Sequence, residues 1–528
     1  MLDDYDGRAL LIIFLSITIP DFDLVEEVSM NRSKTVLHLL PILILIALLL
    51  SLRPPAIALA GSTVLPSSDQ DKIDAYIQSR MRIAKIPGLA LGVVRGDQVV
   101  YLKGYGIAGP DGRVVTPQTP FIIGSSSKSF TALAVMQLVE AGKIDLDAPV
   151  TRYLPWFRTA DPTASNQITV RNLLNQDSGM GVYAGRQGLA DNDQTSSALE
   201  QGVRQLSGLQ LNHAVGKVFE YSNVNYAILG LIVQAVSQKP YEEYVQSEIF
   251  APLQMIHSAA AITNPVAKDV ASGYRYWLFW PLAFDAPYPR QMTPAGFLIS
   301  TAEDMSHYLI TQLNGGTYDN QQALSPEGID MLHAAGPNSA YAMGWISGGE
   351  AGSRRIEHTG DTSNFHSNML LLPDQQIGIV ILINVSGYSN ITAINIPIEG
   401  VAAILLGHDL TAAVDPPANW IAPLIPLVPL FILLVWITAS YFFIKHRRQQ
   451  GKLPPPGIQR VWLYFLPLSI DLFLATTAWI LIPRQFLTPM ETIGLFTPDI
   501  FLIVVLLTVL GVGWALTRTY LTFRPRQM

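Results

Sequence analysis

The sequence contains no cysteine, which excludes disulfide bonds, thiolate metal sites and a thiol nucleophile. Covalent catalysis would therefore need another nucleophile, such as serine, threonine, lysine or a carboxylate. Charged residues are also scarce, at 14% of 528 residues, whereas 49% are hydrophobic. This balance is too apolar for a purely soluble enzyme and predicts membrane segments. The net charge of −7 and the lack of a basic block argue against a nucleic-acid partner.

A chain of this length predicts two or three domains. Residues 1–29 have an acidic start and a short apolar run, so we interpret them as a mis-called N-terminal extension. Residues 30–60 have a basic start, an apolar run to Leu50 and the triplet Ala58-Leu59-Ala60, the pattern of a secretory signal peptide. An uncleaved N-terminal anchor is the alternative, because Arg53 and two prolines follow the apolar run.

Residues 412–528 form a predicted membrane segment with three apolar runs, at 420–444, 461–482 and 500–517. Each run is long enough to cross a bilayer as a helix. The first loop and the C-terminal tail are rich in lysine and arginine, and the second loop carries only Arg484. The positive-inside rule therefore places the first loop and the tail, including Arg518, in the cytoplasm. Everything before residue 420 then lies outside, which is where a signal peptide would deliver it.

Asp471 interrupts the second run, where a charge is costly and is often functional. No second charge is visible within the runs to form a relay with it. We expect a protonated or paired aspartate packed inside a small helix bundle, with a functional charge as the alternative. Three helices with one charge are also too few for the paired repeats of most transporters.

Residues 61–411 form a soluble segment of ordinary composition, predicted to be one domain. Strand-rich runs occur at both ends, at 88–109 around the turn RGDQ and at 366–385 around the turn PDQQ. The middle is helical, and the segment SFTALAVMQLVEAGK is apolar on nearly every side, which predicts a buried helix. The segments YAILGLIVQAVS and YEEYVQSEIF predict further helices. This order predicts an α+β fold: an antiparallel sheet made by both ends, flanked by helices and a helical subdomain, followed by transmembrane helices.

The stretch GSSSKS, at 124–129, places Ser125 three residues before Lys128. On a helix both side chains lie on one face, about one turn apart. A neutral lysine there could take the serine proton, and a helix N-terminus would favour the developing oxyanion. About one such match is expected by chance in a chain of this size, so a capping serine beside a solvated lysine is the alternative. Ser126 and Ser127 lie too close to the lysine in sequence for this role.

Two later stretches add specificity, namely Tyr221-Ser222-Asn223 and His358-Thr359-Gly360. With Ser-x-x-Lys, in this order, they resemble the motifs of the serine β-lactamase and penicillin-binding protein superfamily. The most similar branch contains class C β-lactamases, D-alanyl-D-alanine carboxypeptidases and related esterases. The segments LLNQDSGM, GFLISTAEDMSHYL and YAMGW also resemble that branch. The resemblance covers most of residues 70–405 and none of the membrane segment.

The resemblance implies a role for each motif residue. Ser125 is the implied acylated nucleophile, Lys128 its proton partner and Tyr221 the general base, with a pKa that the nearby lysine lowers. Asn223 would hold the substrate amide and orient the lysine. The stretch His358-Thr359-Gly360 would bind substrate, and the backbone N–H groups of Ser125 and Asp361 would form the oxyanion hole. No cofactor and no metal are implied.

His358 departs from the lysine that often opens the third motif, and an unperturbed histidine is mostly neutral at pH 7. This weakens the expectation of β-lactamase activity, although the Thr359 hydroxyl keeps some capacity to bind a carboxylate. The sequence therefore predicts a membrane-anchored extracytoplasmic serine hydrolase that forms an acyl-enzyme on ester or D-alanyl peptide carbonyls. Its expected partners are a small-molecule or peptide substrate, such as a cell-wall peptide, and membrane lipid. A sensor that binds such peptides or β-lactams without turnover is the alternative.

Overall fold

The computed structural model describes residues 64–349, 352–387, 390–408, 427–451, 457–458 and 465–523. The predicted extension at 1–29 and the predicted signal or anchor at 30–60 lie outside the described residues. The strands are β1 Gly88–Arg95, β2 Gln98–Gly106, β3 Phe121–Ile122, β4 Tyr274–Trp277, β5 Trp280–Ala283, β6 Ile299–Ser300, β7 Thr317–Tyr318, β8 Gln321–Gln322, β9 Ile346–Gly348, β10 Arg355–Asp361, β11 His366–Leu372, β12 Ile377–Ile383 and β13 Val385–Ser386.

The α-helices are α1 Ser67–Ala84, α2 Ser127–Glu140, α3 Pro162–Ser165, α4 Val170–Leu174, α5 Val182–Arg186, α6 Ala198–Arg204, α7 Asn223–Ser237, α8 Tyr241–Val245, α9 Thr293–Gly296, α10 Ala302–Leu313, α11 Pro326–His333, α12 Ile391–Leu405, α13 Val428–Gln449, α14 Leu466–Phe486, α15 Met490–Phe496 and α16 Pro498–Phe523. Short 3₁₀ turns lie at Gly124–Ser126, Val150–Arg152, Gln205–Gly208, Pro265–Asp269, Arg290–Met292 and Pro373–Gln375, and a π turn lies at Gln246–Phe250.

The central sheet has six antiparallel strands in the order β2-β1-β12-β11-β10-β9. Strands β1 and β12 pair with Leu89 opposite Ile383, so the two ends of the domain meet in the middle of the sheet. This confirms the predicted sheet. Strands β11 and β12 are buried along their whole length because helices cover both sheet faces.

Alternate residues of these strands point into two separate hydrophobic cores. Leu89 and Ile379 pack in one core with helices α1 and α12. Ala90 and Val380 pack in the larger core, which contains α10 and the helical subdomain. The subdomain is the long insertion between β2 and β9, so the strands and helices at its border can place side chains from distant segments at one site.

Helix α2 begins directly after the 3₁₀ turn Gly124–Ser126 and is buried on nearly every side, as its apolar sequence predicts. It packs against α7 and α9. The predicted helix in YAILGLIVQAVS is α7, whereas YEEYVQSEIF forms α8 followed by the π turn. Because α2 is held all round by apolar contacts, its first turn is a rigid base for Ser125 and Lys128.

Helices α13, α14 and α16 are long and apolar enough to cross a membrane. They correspond to the three predicted runs, of which residues 420–426 and 461–464 lie outside the described residues. Helix α16 continues past 517 to Phe523, so Arg518 lies inside this helix and not in a tail. Its guanidinium lies 3.0 Å from the Asp471 carboxylate, which also accepts a hydrogen bond from Trp436 Nε1 at 3.1 Å. Asp471 is therefore paired inside the helix bundle, and Arg518 is the partner that sequence analysis missed.

Candidate active site

The four serines of the GSSSKS stretch, which spans the turn before α2 and the first residues of α2, have different surroundings. Ser126 Oγ and Ser367 Oγ are buried and share a hydrogen bond of 2.8 Å, which joins the turn to β11. Ser127 and Ser129 donate to the backbone oxygens of Gly124 and Ser126. Ser125 instead lines a pocket of about 540 Å³. Three of the serines therefore build the turn, and Ser125 alone is placed to meet a substrate.

Lys128 is fully buried one turn into the helix. Its Nζ atom lies 3.1 Å from Ser125 Oγ, 2.7 Å from Asn223 Oδ1 and 2.5 Å from the carbonyl oxygen of Ala295. Burial lowers the pKa of the amine well below its usual value because the charged form loses its hydration. Among the described residues, the hydrogen-bond partners of Nζ are neutral oxygen atoms. The charged amine donates to all three of them, and burial makes the loss of one proton easier than for a solvated lysine.

The contacts of a neutral lysine determine where its lone pair points. A neutral amine has two N–H groups and one lone pair, whereas the charged form has three donors. Asn223 Oδ1 and the Ala295 carbonyl can only accept hydrogen bonds, so they take the two N–H groups. The lone pair is then left for the third neighbour, Ser125 Oγ, at 3.1 Å. This arrangement can remove the serine proton.

Asn223 opens helix α7 and is held at both ends of its amide. Its Nδ2 donates to the Gly185 carbonyl at 2.9 Å, while its Oδ1 accepts from Lys128. The segment LLNQDSGM supports this helix start, since Gln176 Oε1 accepts from the Ser222 N–H at 2.9 Å. Ser178 Oγ donates to Asn225 Oδ1 at 2.6 Å. The hydrogen bonds explain why this segment accompanies the Tyr-x-Asn motif.

Tyr221 lies just before α7 and faces the same pocket. The centre of its ring is 4.8 Å from Lys128 Nζ. The ring packs edge-to-face on Tyr341, with ring centres 5.9 Å apart. Aromatic packing therefore fixes the orientation of Tyr221 beside the lysine and the serine.

His358 lies on β10, buried between Tyr221 and Tyr341. Its Nδ1 is 2.6 Å from the Thr359 carbonyl oxygen, which can only accept, so Nδ1 carries the proton. Nε2 is then free to accept from the Tyr341 hydroxyl at 3.4 Å. Burial lowers the pKa of His358 to about 3. The ring is therefore neutral at physiological pH, as its type alone predicts, and gives no fixed positive charge for a substrate carboxylate.

The lowered pKa of His358 predicts a pH effect on stability. An unfolded histidine titrates near 6.5 and the folded one near 3, so the unfolded chain binds the proton more readily. The stabilising contribution is complete above pH 6.5 and is lost as the pH falls toward 3. We expect the thermal midpoint of the wild-type protein to fall more between pH 7.5 and 5 than that of His358→Gln. His408→Gln, which changes an exposed histidine, is the control and should match the wild type. Equal falls in all three proteins would contradict a neutral buried ring.

The end of β10 approaches the Ser125 turn closely because both sides of the contact are glycines. A Cβ atom on Gly124 would lie 2.5 Å from Asp361 N, and one on Gly360 would lie 2.8 Å from Ser125 N. Gly124 also has φ of +53°, which favours glycine. These contacts bring the backbones of Ser125 and Asp361 close together, and both residues line the pocket. The oxyanion hole predicted at their N–H groups requires this proximity.

The Asp361 side chain is held at the edge of the pocket by residues that sequence analysis did not assign. His366 Nδ1 lies 2.8 Å from Asp361 Oδ1, and Ser386 Oγ donates to the same oxygen at 3.2 Å. The other ring nitrogen of His366 is 2.9 Å from the Asn368 amide nitrogen and accepts from it. His366 thus fixes the side chain of Asp361, whose N–H is predicted to form part of the oxyanion hole. The two residues are only five positions apart in sequence, and no motif singles out His366.

The predicted site residues that line the pocket are Ser125, Tyr221, Asn223, His358, Thr359 and Asp361, whereas Lys128 and Gly360 are not among the lining residues. Most of the remaining wall is apolar, formed by Val182, Leu189, Phe219, Met292, Phe297, Ile346 and Phe496. Among the described residues that line it, Arg186 and Asp361 are the two with a formal charge. Sequence analysis missed both Arg186 and Phe496, because neither belongs to a motif and Phe496 lies in the predicted membrane segment.

The sequence matches the family described as Beta-lactamase over residues 73–396, which is more than half of the chain. The chain belongs to this family. The matched residues contain all three motifs and end before the first of the long apolar helices. Family membership accounts for the order of the motifs, and the geometry shows that Ser125, Lys128 and Asn223 meet as that order implies.

Individual relatives and solved structures agree with this family. The chain is 32% identical over 328 residues to Protein flp of Staphylococcus aureus strain N315, covering 61% of this chain and 65% of that relative. It is 30% identical over 255 residues to the Putative penicillin-binding protein PbpX of Bacillus subtilis, covering 48% of this chain and 60% of that relative. Similar solved structures include an octameric penicillin-binding protein homologue from Pyrococcus abyssi, with a TM-score of 0.54 and 28% sequence identity. The match covers 66% of this chain and 79% of that chain. The structure of FmtA from Staphylococcus aureus has a TM-score of 0.53 and 25% sequence identity, and the match covers 66% of this chain and 92% of that chain.

A second cluster of polar side chains lies outside the residues that line the pocket. His257 Nδ1 is 3.4 Å from Glu303 Oε2 and 3.7 Å from Asp304 Oδ1. Asp304 is buried at the start of α10, where it accepts from the His257 N–H and the Ser258 hydroxyl. In this β-lactamase-family domain the cluster joins the loop at 257 to α10, and none of its residues belongs to the three motifs.

Proposed function

We propose that the protein is a membrane-anchored serine hydrolase that cleaves ester or D-alanyl peptide carbonyls through an acyl-enzyme on Ser125. The observation that carries this proposal is the position of Lys128. The buried Nζ contacts Ser125 Oγ, Asn223 Oδ1 and the Ala295 carbonyl, and burial lowers its pKa. In the neutral form the two carbonyl oxygens take both N–H groups, which leaves the lone pair for Ser125 Oγ. A solvated lysine beside a capping serine would have none of these contacts. The arrangement is that of an activated nucleophile and its base.

Acylation follows from these contacts. Ser125 Oγ attacks the substrate carbonyl carbon and its proton passes to Lys128 Nζ. The N–H groups of Ser125 and Asp361 stabilise the negative charge that develops on the carbonyl oxygen. The C–O or C–N bond then breaks, and the leaving group receives the proton, with Tyr221 as the proposed carrier beside Lys128. An ester between Ser125 and the acyl group remains.

Deacylation uses the same groups in reverse order. A water molecule attacks the acyl carbon and gives its proton to the neutral base, and Ser125 leaves with a proton restored. Asn223 keeps Lys128 in place through both steps because its amide is anchored at Gly185. The neutral His358, in place of a lysine, favours substrates without a recognised carboxylate. Esters are therefore the preferred class, ahead of D-alanyl peptides and β-lactams.

The proposed location has the catalytic domain and the loop at 487–497 outside the cell, with the C-terminus in the cytoplasm. The basic residues after α13 support this orientation. Contacts within the structure also support it. Arg448 near the end of α13 donates to the Leu521 carbonyl near the end of α16, so the C-terminal ends of these two helices lie on the same side. The loop at the opposite ends of α14 and α16 contacts the catalytic domain through Arg186. Both sets of contacts agree with a catalytic domain outside the cell, which is the location that the signal-like segment at 30–60 predicts.

A sensor that is acylated once and not turned over is the second candidate. The position of Phe496 in the pocket wall favours this candidate, because Phe496 ends α15 and α16 begins two residues later. A ligand in the pocket could therefore shift α16, which is long enough to span a membrane. Both candidates share the Ser125–Lys128 pair. They differ in whether water reaches the acyl group, which is a kinetic property.

Turnover of a chromogenic ester by the full-length protein in detergent separates the two candidates. We expect p-nitrophenyl butyrate to release many equivalents of p-nitrophenol per protein, with slower cleavage of a peptide ending in D-Ala-D-Ala and of a chromogenic cephalosporin. Release of one equivalent followed by a plateau would replace the hydrolase by the sensor. Absence of both a burst and turnover with all three compounds, in a protein shown to be folded by circular dichroism, would contradict both candidates.

A further inference from the structure

A short helix of the membrane segment forms part of the active-site wall. Helix α15, Met490–Phe496, lies between the long helices α14 and α16. Phe496 is only 6% exposed and packs in the same hydrophobic core as the catalytic domain. It also lines the pocket that contains Ser125 and Tyr221. The pocket is therefore built from two parts of the chain, the family domain at 73–396 and a loop about 100 residues beyond it.

Two arginines of the catalytic domain hold this loop in place. Arg186 Nη1 donates to the Phe486 carbonyl at 2.6 Å and to Thr488 Oγ1 at 2.5 Å. Thr492 returns a hydrogen bond to the Arg186 carbonyl at 3.0 Å. Arg275 Nη1 donates to the Gly494 carbonyl at 3.3 Å, near the C-terminal end of α15. Contacts at both ends of the loop fix Phe496 against the pocket.

These contacts also change the character of the pocket. Arg186 is the one side chain with a positive charge among the described residues that line it, and its Nη1 group is occupied by the loop. The neighbouring His358 is neutral because burial lowers its pKa. Val182, Leu189 and Phe496 contribute apolar surface. The pocket therefore presents mostly apolar surface, and the Nη1 group of its arginine is already hydrogen-bonded to the loop.

The position of Phe496 in the chain points to the membrane surface. It lies two residues before α16, which is long and apolar enough to cross a bilayer from Pro498 onward. If that helix spans the membrane, Phe496 lies at the interface between lipid and water, and so does the part of the pocket wall that it forms. A substrate with an apolar chain concentrates in that layer.

Resting on the proposed function, we propose that Phe496 is a specificity-determining residue and that the enzyme acts on amphiphilic acyl esters at the membrane surface. Phe496 forms the wall against which the apolar chain of the acyl group packs. The membrane segment is then both the anchor of the enzyme and part of its substrate site. A family domain without this loop would present the same Ser125 and Lys128 with an open pocket.

The test compares two esters with the full-length protein in detergent, p-nitrophenyl acetate and p-nitrophenyl octanoate. We expect Phe496→Ala to lower kcat/KM for the octanoate by about tenfold, since apolar contacts in a pocket of this kind discriminate by that order. Acetate, which does not reach the wall, should change less than about twofold. Phe431→Ala, which truncates an exposed phenylalanine of α13, is the matched control and should leave both substrates unchanged.

The outcomes separate this proposal from the proposed function. Wild-type protein that cleaves neither ester would overturn the hydrolase itself. Ser125-dependent cleavage of both esters, with equal effects of Phe496→Ala on each, would overturn only the role of Phe496. Retained acetate turnover in Phe496→Ala shows that the variant is folded, so a selective loss of octanoate cleavage cannot come from unfolding.

Discussion

Replacement of Ser125 by alanine is expected to reduce ester turnover at least about a thousandfold, since removal of a covalent nucleophile has effects of this order or more. Ser125 is the serine of GSSSKS that faces the pocket, and its Oγ is 3.1 Å from the buried amine. The variant loses only the reacting oxygen, so circular dichroism and the thermal midpoint should stay close to those of the wild type. The measurement is kcat for p-nitrophenyl butyrate in the same detergent.

Ser126→Ala is the matched control for this result. Its hydroxyl hydrogen bond to Ser367 is buried, so its removal should cost about 1 kcal/mol of folding free energy and lower the thermal midpoint. Turnover should remain within a few fold of the wild type, because no reacting atom is removed. Equal losses of turnover in Ser125→Ala and Ser126→Ala would mean that the turn matters as a whole, and the assignment of the nucleophile would be wrong.

Lys128→Met is expected to have the second largest effect, again a loss of about a thousandfold or more in kcat, because the proton acceptor is removed while most of the buried volume is kept. The reason lies in the neutral amine, whose two N–H groups are taken by Asn223 and Ala295. Lys143→Met, at an exposed position after α2, is the control and should leave turnover unchanged. Wild-type turnover in Lys128→Met would contradict the role of the lysine.

The pH dependence of the wild-type enzyme gives an independent check on the lysine. Because burial holds the Lys128 pKa well below its usual value, the neutral base forms at a lower pH than it would in a solvated lysine. We expect the enzyme to be active at pH 7 and its kcat/KM to fall as the pH is lowered, because the amine then becomes charged. Activity that appears only above pH 10 would indicate an ordinary, solvated lysine, which is the alternative that the sequence left open.

The central fold could be predicted because its signals are local and strong. Strands β1 and β12 are apolar runs at opposite ends of the domain, and strands buried on both faces have continuous apolar sequences. Helix α2 is apolar on nearly every side, which is typical of a helix enclosed by others. The motif residues around Ser125 could be found because each motif is short and contiguous in sequence.

The parts of the site that were missed depend on contacts between distant residues. Arg186 meets the backbone at 486–488 about 300 residues later in the chain, and no local pattern signals that pairing. Phe496 is an apolar residue in a segment predicted to lie in the membrane, so hydropathy does not reveal that it packs in the core of the catalytic domain. Asp471 and Arg518 pair across two helices because α16 continues past residue 517 and so includes Arg518, which the apolar run in the sequence does not.

The most direct test of the account is to stop the reaction of the full-length protein with p-nitrophenyl butyrate in acid and to map the modified peptide by mass spectrometry. A butyryl group on Ser125, absent from the Ser125→Ala protein and lost with time at neutral pH, is the predicted result. A butyryl group on Ser126, Lys128 or Tyr221, or turnover with no covalent adduct at any time point, would contradict an acyl-enzyme on Ser125.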